Sequence, residues 1–186
     1  EDPGAVGTEV EVELLKIEQY VDMVLGYLRL DSESTDYVLR DTDLDGLLRQ
    51  AVRKFARMFI LKKITLDFRE TGRTVLTDGK WLSFVVEQVL SNALKYTAHG
   101  SVTIAMDGDD LCIRDTGMGI APEDLPRVFE KGFTGYNGRG DQKASGLGLY
   151  LCRRVCAKLG HTITAESTPD HGTAIRIGLD QQAVTE

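Results

Sequence analysis

Gln88, Asn92 and Lys95 recur at i, i+4 and i+7 within an otherwise apolar segment, Asp78–Thr97. Its residues Trp81, Leu82, Phe84, Val85, Val86, Val89, Leu90, Ala93 and Leu94 predict a helix that is apolar round most of its circumference, and hence largely buried. Buried polar groups need partners, which water on a solvated face would supply as well as a polar ligand would. An Asn amide oxygen can hold a hard cation, and a Lys ammonium can meet a phosphate. A second feature is Asp115, which continues the alternation Leu111, Ile113 and so shares a strand's apolar face. A carboxylate there is costly unless it accepts hydrogen bonds. Thr116-Gly117-Met118-Gly119-Ile120 follows. Glycines at this place permit positive φ and close backbone approach to a ligand, though a plain turn also uses them. A third feature, Gly146-Leu147-Gly148-Leu149, opens a helix. Backbone N–H groups and the positive dipole end at such a start attract anions. It is neither a Walker A loop nor a GxGxxG fingerprint.

The elements that must position these residues can be read from periodicity. Residues Glu1 to Thr8 look like a frayed terminus. Val10, Leu14, Ile17, Val21, Val24 and Leu28 step by four and three, the seam of a helix that packs along another helix, in its own domain or in a dimeric bundle. Asp31–Asp36 is polar and reads as a linker. Thr42 or Asp43 caps a second helix whose stripe is Leu44, Leu47, Leu48, Ala51, Val52 and Phe55. Ile64, Leu66 and Phe68 predict a strand, and Val75-Leu76 a short one. Val102, Ile104, Met106 and Leu111, Ile113 flank the turn Asp107-Gly108-Asp109-Asp110, a hairpin. A Gly-rich stretch runs from Thr116 to Ser145, then a helix to Leu159, then strands His161–Ser167 and Thr173–Leu179. Helices mixed with hairpins favour an α+β layered fold over a doubly wound parallel one.

The chain's 186 residues suit roughly one domain. With 22 Lys+Arg against 29 Asp+Glu the formal net charge is −7, a poor basis for nucleic-acid binding. No apolar run approaches the ~20 residues of a membrane span. Cys112, Cys152 and Cys156 are too few for a disulfide framework and lack a His at zinc-ligand spacing, which leaves reduced, buried thiols.

Taken in order, these elements resemble the ATP-binding catalytic domain of bacterial sensor histidine kinases, within the ATPase superfamily shared with gyrase, the Hsp90 chaperones and MutL. Ser91-Asn92-Ala93-Leu94-Lys95-Tyr96-Thr97 matches the N box and Asp115–Ile120 the G1 box. Phe129-Glu130-Lys131-Gly132-Phe133-Thr134-Gly135 matches the F box, Gly146-Leu147-Gly148-Leu149 the G2 box, and Gly172-Thr173 the last glycine box. The resemblance implies a two-layer sandwich of a mixed sheet on helices, preceded by a separate N-terminal helix. It divides the chain into a tail, remnant dimerisation helix and linker over 1–36, an ATP-binding domain over 37–182, and a tail over 183–186. Asp115 would accept the adenine amino group, and Asn92 would bind the Mg²⁺ that bridges the phosphates. Lys95 would contact phosphate, and Tyr96 would pack near base or sugar. Gly117, Gly119, Lys131, Thr173 and the backbone of Gly146, Leu147 and Gly148 would complete the nucleotide site. Thr116–Ser145 would form a lid anchored by Phe129, with Arg139 or Lys143 on phosphate. The implied reaction moves the ATP γ-phosphoryl to a histidine on a dimerisation domain, then to an aspartate of a response regulator. The parent would be a membrane-anchored homodimer with this domain in the cytoplasm. Phe59-Ile60-x-Lys62-Lys63-Ile64 and Thr77-Asp78-x-Lys80-Trp81-Leu82 are similar to the small kinases that pair with antimicrobial-peptide transporters.

Two departures bear on chemistry. Gln88 stands where the family carries Asn, or Glu in relatives with a carboxylate base, and an amide is no general base. Glu87 lies ~100° round the helix from it. The phosphoacceptor pattern, a helical His followed by an acidic residue, is not matched: His99 precedes Gly100, His161 precedes Thr162 and His171 precedes Gly172. An ATP hydrolase of the gyrase or chaperone type, or a nucleotide-binding module without turnover, are the alternatives.

Overall fold

A computed structural model describes residues 3–30, 37–134 and 146–179. The predicted linker, Arg139, Lys143 and the C-terminal tail lie outside the described residues. The chain divides into two units, residues 1–35 and 36–186, each described by itself.

The first unit is one helix, α1 (Pro3–Leu30). It starts well before Val10, so the frayed terminus expected up to Thr8 is helical from Pro3 onward. Proline is favoured in a first turn, where its missing N–H has no partner to lose. The seam residues Val10, Leu14, Ile17, Val21 and Leu28 are exposed.

The second unit begins with β1 (Arg40–Asp43), which pairs antiparallel with β3 (Thr74–Thr77) in a two-stranded sheet. Between them lie α2 (Leu44–Lys62) and β2 (Ile64–Phe68). Asp43 caps α2, accepting from the Asp45 N–H at 3.1 Å. Asp45 itself is buried and accepts from the Thr71 N–H and hydroxyl at 2.8 and 2.9 Å and from the Gly72 N–H at 2.8 Å. Burial pushes its pKa up, and those bonds more than offset this and leave it below the usual value. Asp45 thereby ties the β2–β3 loop to α2. The helix ends at Lys63, whose φ of 53° lets its N–H reach the carbonyls of Ile60 and Phe59.

Next come α3 (Gly79–Tyr96), β4 (Gly100–Asp107) and β5 (Asp110–Asp115), then α4 (Gly148–Leu159), β6 (Thr162–Ser167) and β7 (Thr173–Gly178). Asp78 caps α3 through the Lys80 and Trp81 N–H groups. The main sheet has the order β2-β4-β5-β7-β6, with β2 parallel to β4 and the other pairs antiparallel. The mixed α+β sheet on helices is as the sequence implies. Its core joins Val102, Ile104, Leu111, Ile113 and Ile177 to Leu48, Phe55, Leu82, Leu90, Leu94, Leu151 and Leu159 of the helices, all fully or nearly fully buried. Each such side chain contributes roughly 1.5–3 kcal/mol of apolar burial. The opposite face is polar, where Arg176 bridges Glu166 at 3.2 Å and also Asp107.

Candidate functional site

Helix α3 carries the polar stripe from inside to outside. Gln88 is buried, Asn92 half-buried and Lys95 exposed. Gln88 faces the start of α4, for a side chain on Gly148 would begin 3.1 Å from Gln88 Oε1. Glu87 turns the other way. It accepts from Lys54 of α2 at 3.0 Å and from the Ser83 hydroxyl at 3.2 Å. Lys62, in the last turn of α2, donates to the Leu94 carbonyl and so pins the end of α3. There the Lys95 ammonium lies 5.2 Å from the centre of the Tyr96 ring. From Gln88 to Tyr96 the helix advances about 12 Å.

Near the far end of that run, Asp115 finishes β5 on the buried face with Leu111 and Ile113, while Arg114 between them is exposed. One carboxylate oxygen, Oδ1, accepts from the Gly117 N–H at 2.8 Å and the Thr173 N–H at 3.3 Å. Burial raises the Asp115 pKa; those two N–H groups, the Thr97 hydroxyl and the Arg114 charge hold it back. Thr97 Oγ1 is itself buried and makes no well-aligned hydrogen bond.

The loop after Asp115 fits only because it is glycine. A side chain on Gly117 would begin 2.4 Å from the Tyr96 carbonyl oxygen and 2.9 Å from both Asp115 Oδ1 and Thr97 Oγ1. Gly119, at φ 69°, presses on the Thr168 carbonyl in the same way. Cross-links then hold the loop to the turn between β6 and β7. Asp170 N–H donates to the Met118 carbonyl at 2.8 Å, and Ile120 N–H to Ser167 Oγ at 2.9 Å. The Ser167 hydroxyl in turn donates to the Gly172 carbonyl at 2.7 Å. Ser167 has no signature in the sequence, because its partners are brought to it by the sheet.

Helix α4 starts at Gly148, and Leu147 at its N-cap supplies no side-chain cap. Gly146, at φ 65°, accepts from the Gly132 N–H at 3.0 Å through its carbonyl and so joins this start to the end of the described Gly-rich stretch. In that stretch Phe129 is half-buried, Lys131 is exposed, and Arg127 stacks on Phe133 at 4.5 Å. The three cysteines are free and buried, as expected, and burial raises their pKa values. His161 is buried, with Nε2 2.9 Å from Thr77 Oγ1, while His99 and His171 are exposed. All three lie outside helices. Among the described residues no group of three or more His, Cys, Asp or Glu could hold a metal ion. No described helix is long and apolar enough to cross a membrane.

Two ends thus emerge along α3. One gathers Tyr96, Thr97, Asp115, Gly117 and Thr173 round a buried carboxylate. The other sets Gln88 against the Gly-rich start of α4. Lys95, Asn92 and the glycines were expected together, and α3 and the loops that flank it carry them; Phe129 and Lys131 lie in the described part of the Gly-rich stretch.

Comparison with known proteins gives a consistent result. A family profile described as "Histidine kinase-, DNA gyrase B-, and HSP90-like ATPase" matches residues 77–183. Sensor histidine kinase YxdK of Bacillus subtilis is 32% identical over 96% of this chain and 57% of its own length. Sensor protein BceS of Halalkalibacterium halodurans is 35% identical over 94% of this chain and 53% of its own. The chain therefore spans about half the length of the curated relatives it matches. Among solved structures, full-length ShkA in complex with AMPPNP is similar at TM-score 0.70 and 27% identity, over 91% of this chain and 36% of that one.

Proposed function

The chain belongs to the histidine kinase-, DNA gyrase B- and HSP90-like ATPase family, and from that premise we propose that it is the ATP-binding catalytic domain of a two-component sensor histidine kinase. It transfers the γ-phosphoryl of ATP to a histidine on a dimerisation domain, for relay to an aspartate of a response regulator. The observation that favours transfer over hydrolysis is the pair at positions 87 and 88. A hydrolase needs a base to activate water. Gln88 faces α4 but cannot take a proton, and Glu87, which could, is engaged by Lys54 and Ser83 on the other side of the helix.

In this reading the adenine amino group donates to the Asp115 oxygen that Gly117 and Thr173 leave open. Tyr96 packs beside base or sugar. Lys95 and the N-terminus of α4 at Gly146, Leu147 and Gly148 take the phosphates. Gln88, facing that N-terminus, orients the γ-phosphate end rather than moving a proton. Asn92, half-buried between the two ends, fits Mg²⁺. That ion prefers one or two protein oxygens plus phosphates to an all-protein cage. When bound, Mg²⁺ neutralises phosphate charge. Phe129 anchors the Gly-rich segment over the nucleotide, and Lys131 and Lys143 contribute positive charge to the phosphates.

The exposed seam of α1 supports a homodimeric parent with this helix in its bundle. The parent is anchored in a membrane, and similarity to transporter-linked kinases in two short segments supports a transporter as partner. The test offers γ-labelled ATP to this chain together with a separately made dimerisation domain of a close relative. Acid-labile, base-stable label on that domain's histidine supports the kinase; free phosphate alone supports the hydrolase; neither supports a module that only binds.

A further inference from the structure

Thr97 closes α3, yet its hydroxyl has no part in ending the helix: the cap is made by its N–H, which donates to the Ala93 carbonyl at 3.1 Å. The hydroxyl is fully buried and lacks a well-aligned partner. An unsatisfied buried hydroxyl is destabilising, so it is not expected to persist unless the working state gives it a partner. Its surroundings name that partner. Thr97 Oγ1 and Asp115 Oδ1 each lie 2.9 Å from the point where a side chain on Gly117 would begin, on the same side of the loop. Glycine at 117 keeps a side chain out of the space beside the hydroxyl and the carboxylate. Asp115 is otherwise held through a single oxygen, by Gly117 from its own loop and Thr173 from β7. Two bonds to one oxygen fix its position but leave the carboxylate plane free to swing about it. A third donor, from α3, narrows the planes in which that oxygen can accept all three bonds with good alignment.

We propose that Thr97 is a positioning residue that fixes the plane of the Asp115 carboxylate and so sets the preference for a 6-amino purine. The inference rests on the nucleotide-binding reading given above. An ionised carboxylate only accepts hydrogen bonds, so it attracts a 6-amino group and repels a 6-oxo group. That contrast is full only when the open oxygen faces the base edge squarely, since hydrogen bonds weaken steeply with misalignment. Thr97 therefore acts on the base without touching it, through Asp115.

The test compares ATP with inosine triphosphate, which carries a 6-oxo group, by calorimetric titration of the whole chain. Thr97→Val keeps the shape and removes the hydroxyl. It should lower ATP affinity about tenfold and leave inosine triphosphate affinity unchanged, so the preference shrinks by that factor. Thr97→Ser should restore the preference. Equal losses for both nucleotides would show a packing role and overturn the proposal, as would an unchanged preference. Circular dichroism checks the fold, and if the valine variant does not fold, Thr97→Ala carries the same comparison. A wild-type chain that binds ATP no better than inosine triphosphate would instead overturn the assignment of Asp115 to the base.

Discussion

Asp115 carries a conflict between burial and charge that makes its chemistry measurable. Burial raises its pKa above the ordinary 3.8, against the N–H groups of Gly117 and Thr173, the Thr97 hydroxyl and the Arg114 charge. A group whose folded pKa is raised favours the fold in its protonated form. That contribution is complete below 3.8 and is lost as pH rises through the folded value. Nucleotide binding has the opposite sign, because only the ionised form accepts from an amino group. Affinity for ATP should therefore fall as pH drops through the raised pKa of Asp115, which lies above 3.8. Asp115→Asn shares the nucleotide's own titrations and lacks this one, so the difference between the two pH profiles isolates it. Parallel profiles would mean that the carboxylate does not meet the base. At this scale much was legible in the sequence. Alternation from Leu111 put Asp115 on the buried face, and helical spacing aligned Gln88, Asn92 and Lys95. Thr97 and Ser167 were not legible, because Asp115 lies 18 positions beyond the first and Ile120, which donates to the second, lies 47 positions before it.

Elements differ in how much of their cause is local. Helix α2 is specified by its own cap and stripe, with Asp43 at one end and Leu44, Leu48, Ala51 and Phe55 buried along one face. The β4–β5 hairpin likewise follows from alternation and a Gly108 turn at φ 64°. Strand β1 has no such signal: its sequence is Arg-Asp-Thr-Asp, no residue in it is buried, and only pairing with β3 makes it a strand. Asp45 gave no signal either, since its acceptors' partners come from the loop at Thr71 and Gly72. Loop glycines can be ranked by what surrounds them. A methyl at Gly117 meets the Tyr96 carbonyl at 2.4 Å, so Gly117→Ala must shift the loop that supports Asp115. A shift of about 1 Å can cost on the order of 100-fold in a precisely set site, and ATP affinity should fall accordingly. At Gly108 nothing lies within 4 Å, so Gly108→Ala should cost only the left-handed backbone penalty of about 1–2 kcal/mol and leave ATP affinity unchanged. Denaturant unfolding and ATP titration of both variants separate the two effects. Equal affinities would detach the Gly117 loop from the site.

For the whole molecule, the described histidines limit what the chain does to itself. Phosphoryl transfer needs a nucleophile in line with the γ-phosphate. His161 is buried against Thr77, and His99 and His171 sit outside helices with glycines after them. The chain should therefore bind Mg²⁺-ATP without placing acid-labile label on any of the three, measured by incubation with γ-labelled ATP and peptide mapping. Robust label on one of them would overturn the reading that the acceptor belongs to a separate domain.

The central claim is that ATP is held at the Asp115 end of α3, and calorimetric titration with Mg²⁺-ATP tests it most directly. The wild-type chain should bind one equivalent. Asp115→Asn should keep its fold, because an amide oxygen can still accept from Gly117 and Thr173. Its NH₂ group would then face the donating amino group of the base. Losing a charge-assisted hydrogen bond costs about 1.5–3 kcal/mol, so affinity should drop roughly ten- to hundred-fold. Equal ATP affinity in a folded Asp115→Asn chain, or no binding by the wild type, would contradict the claim.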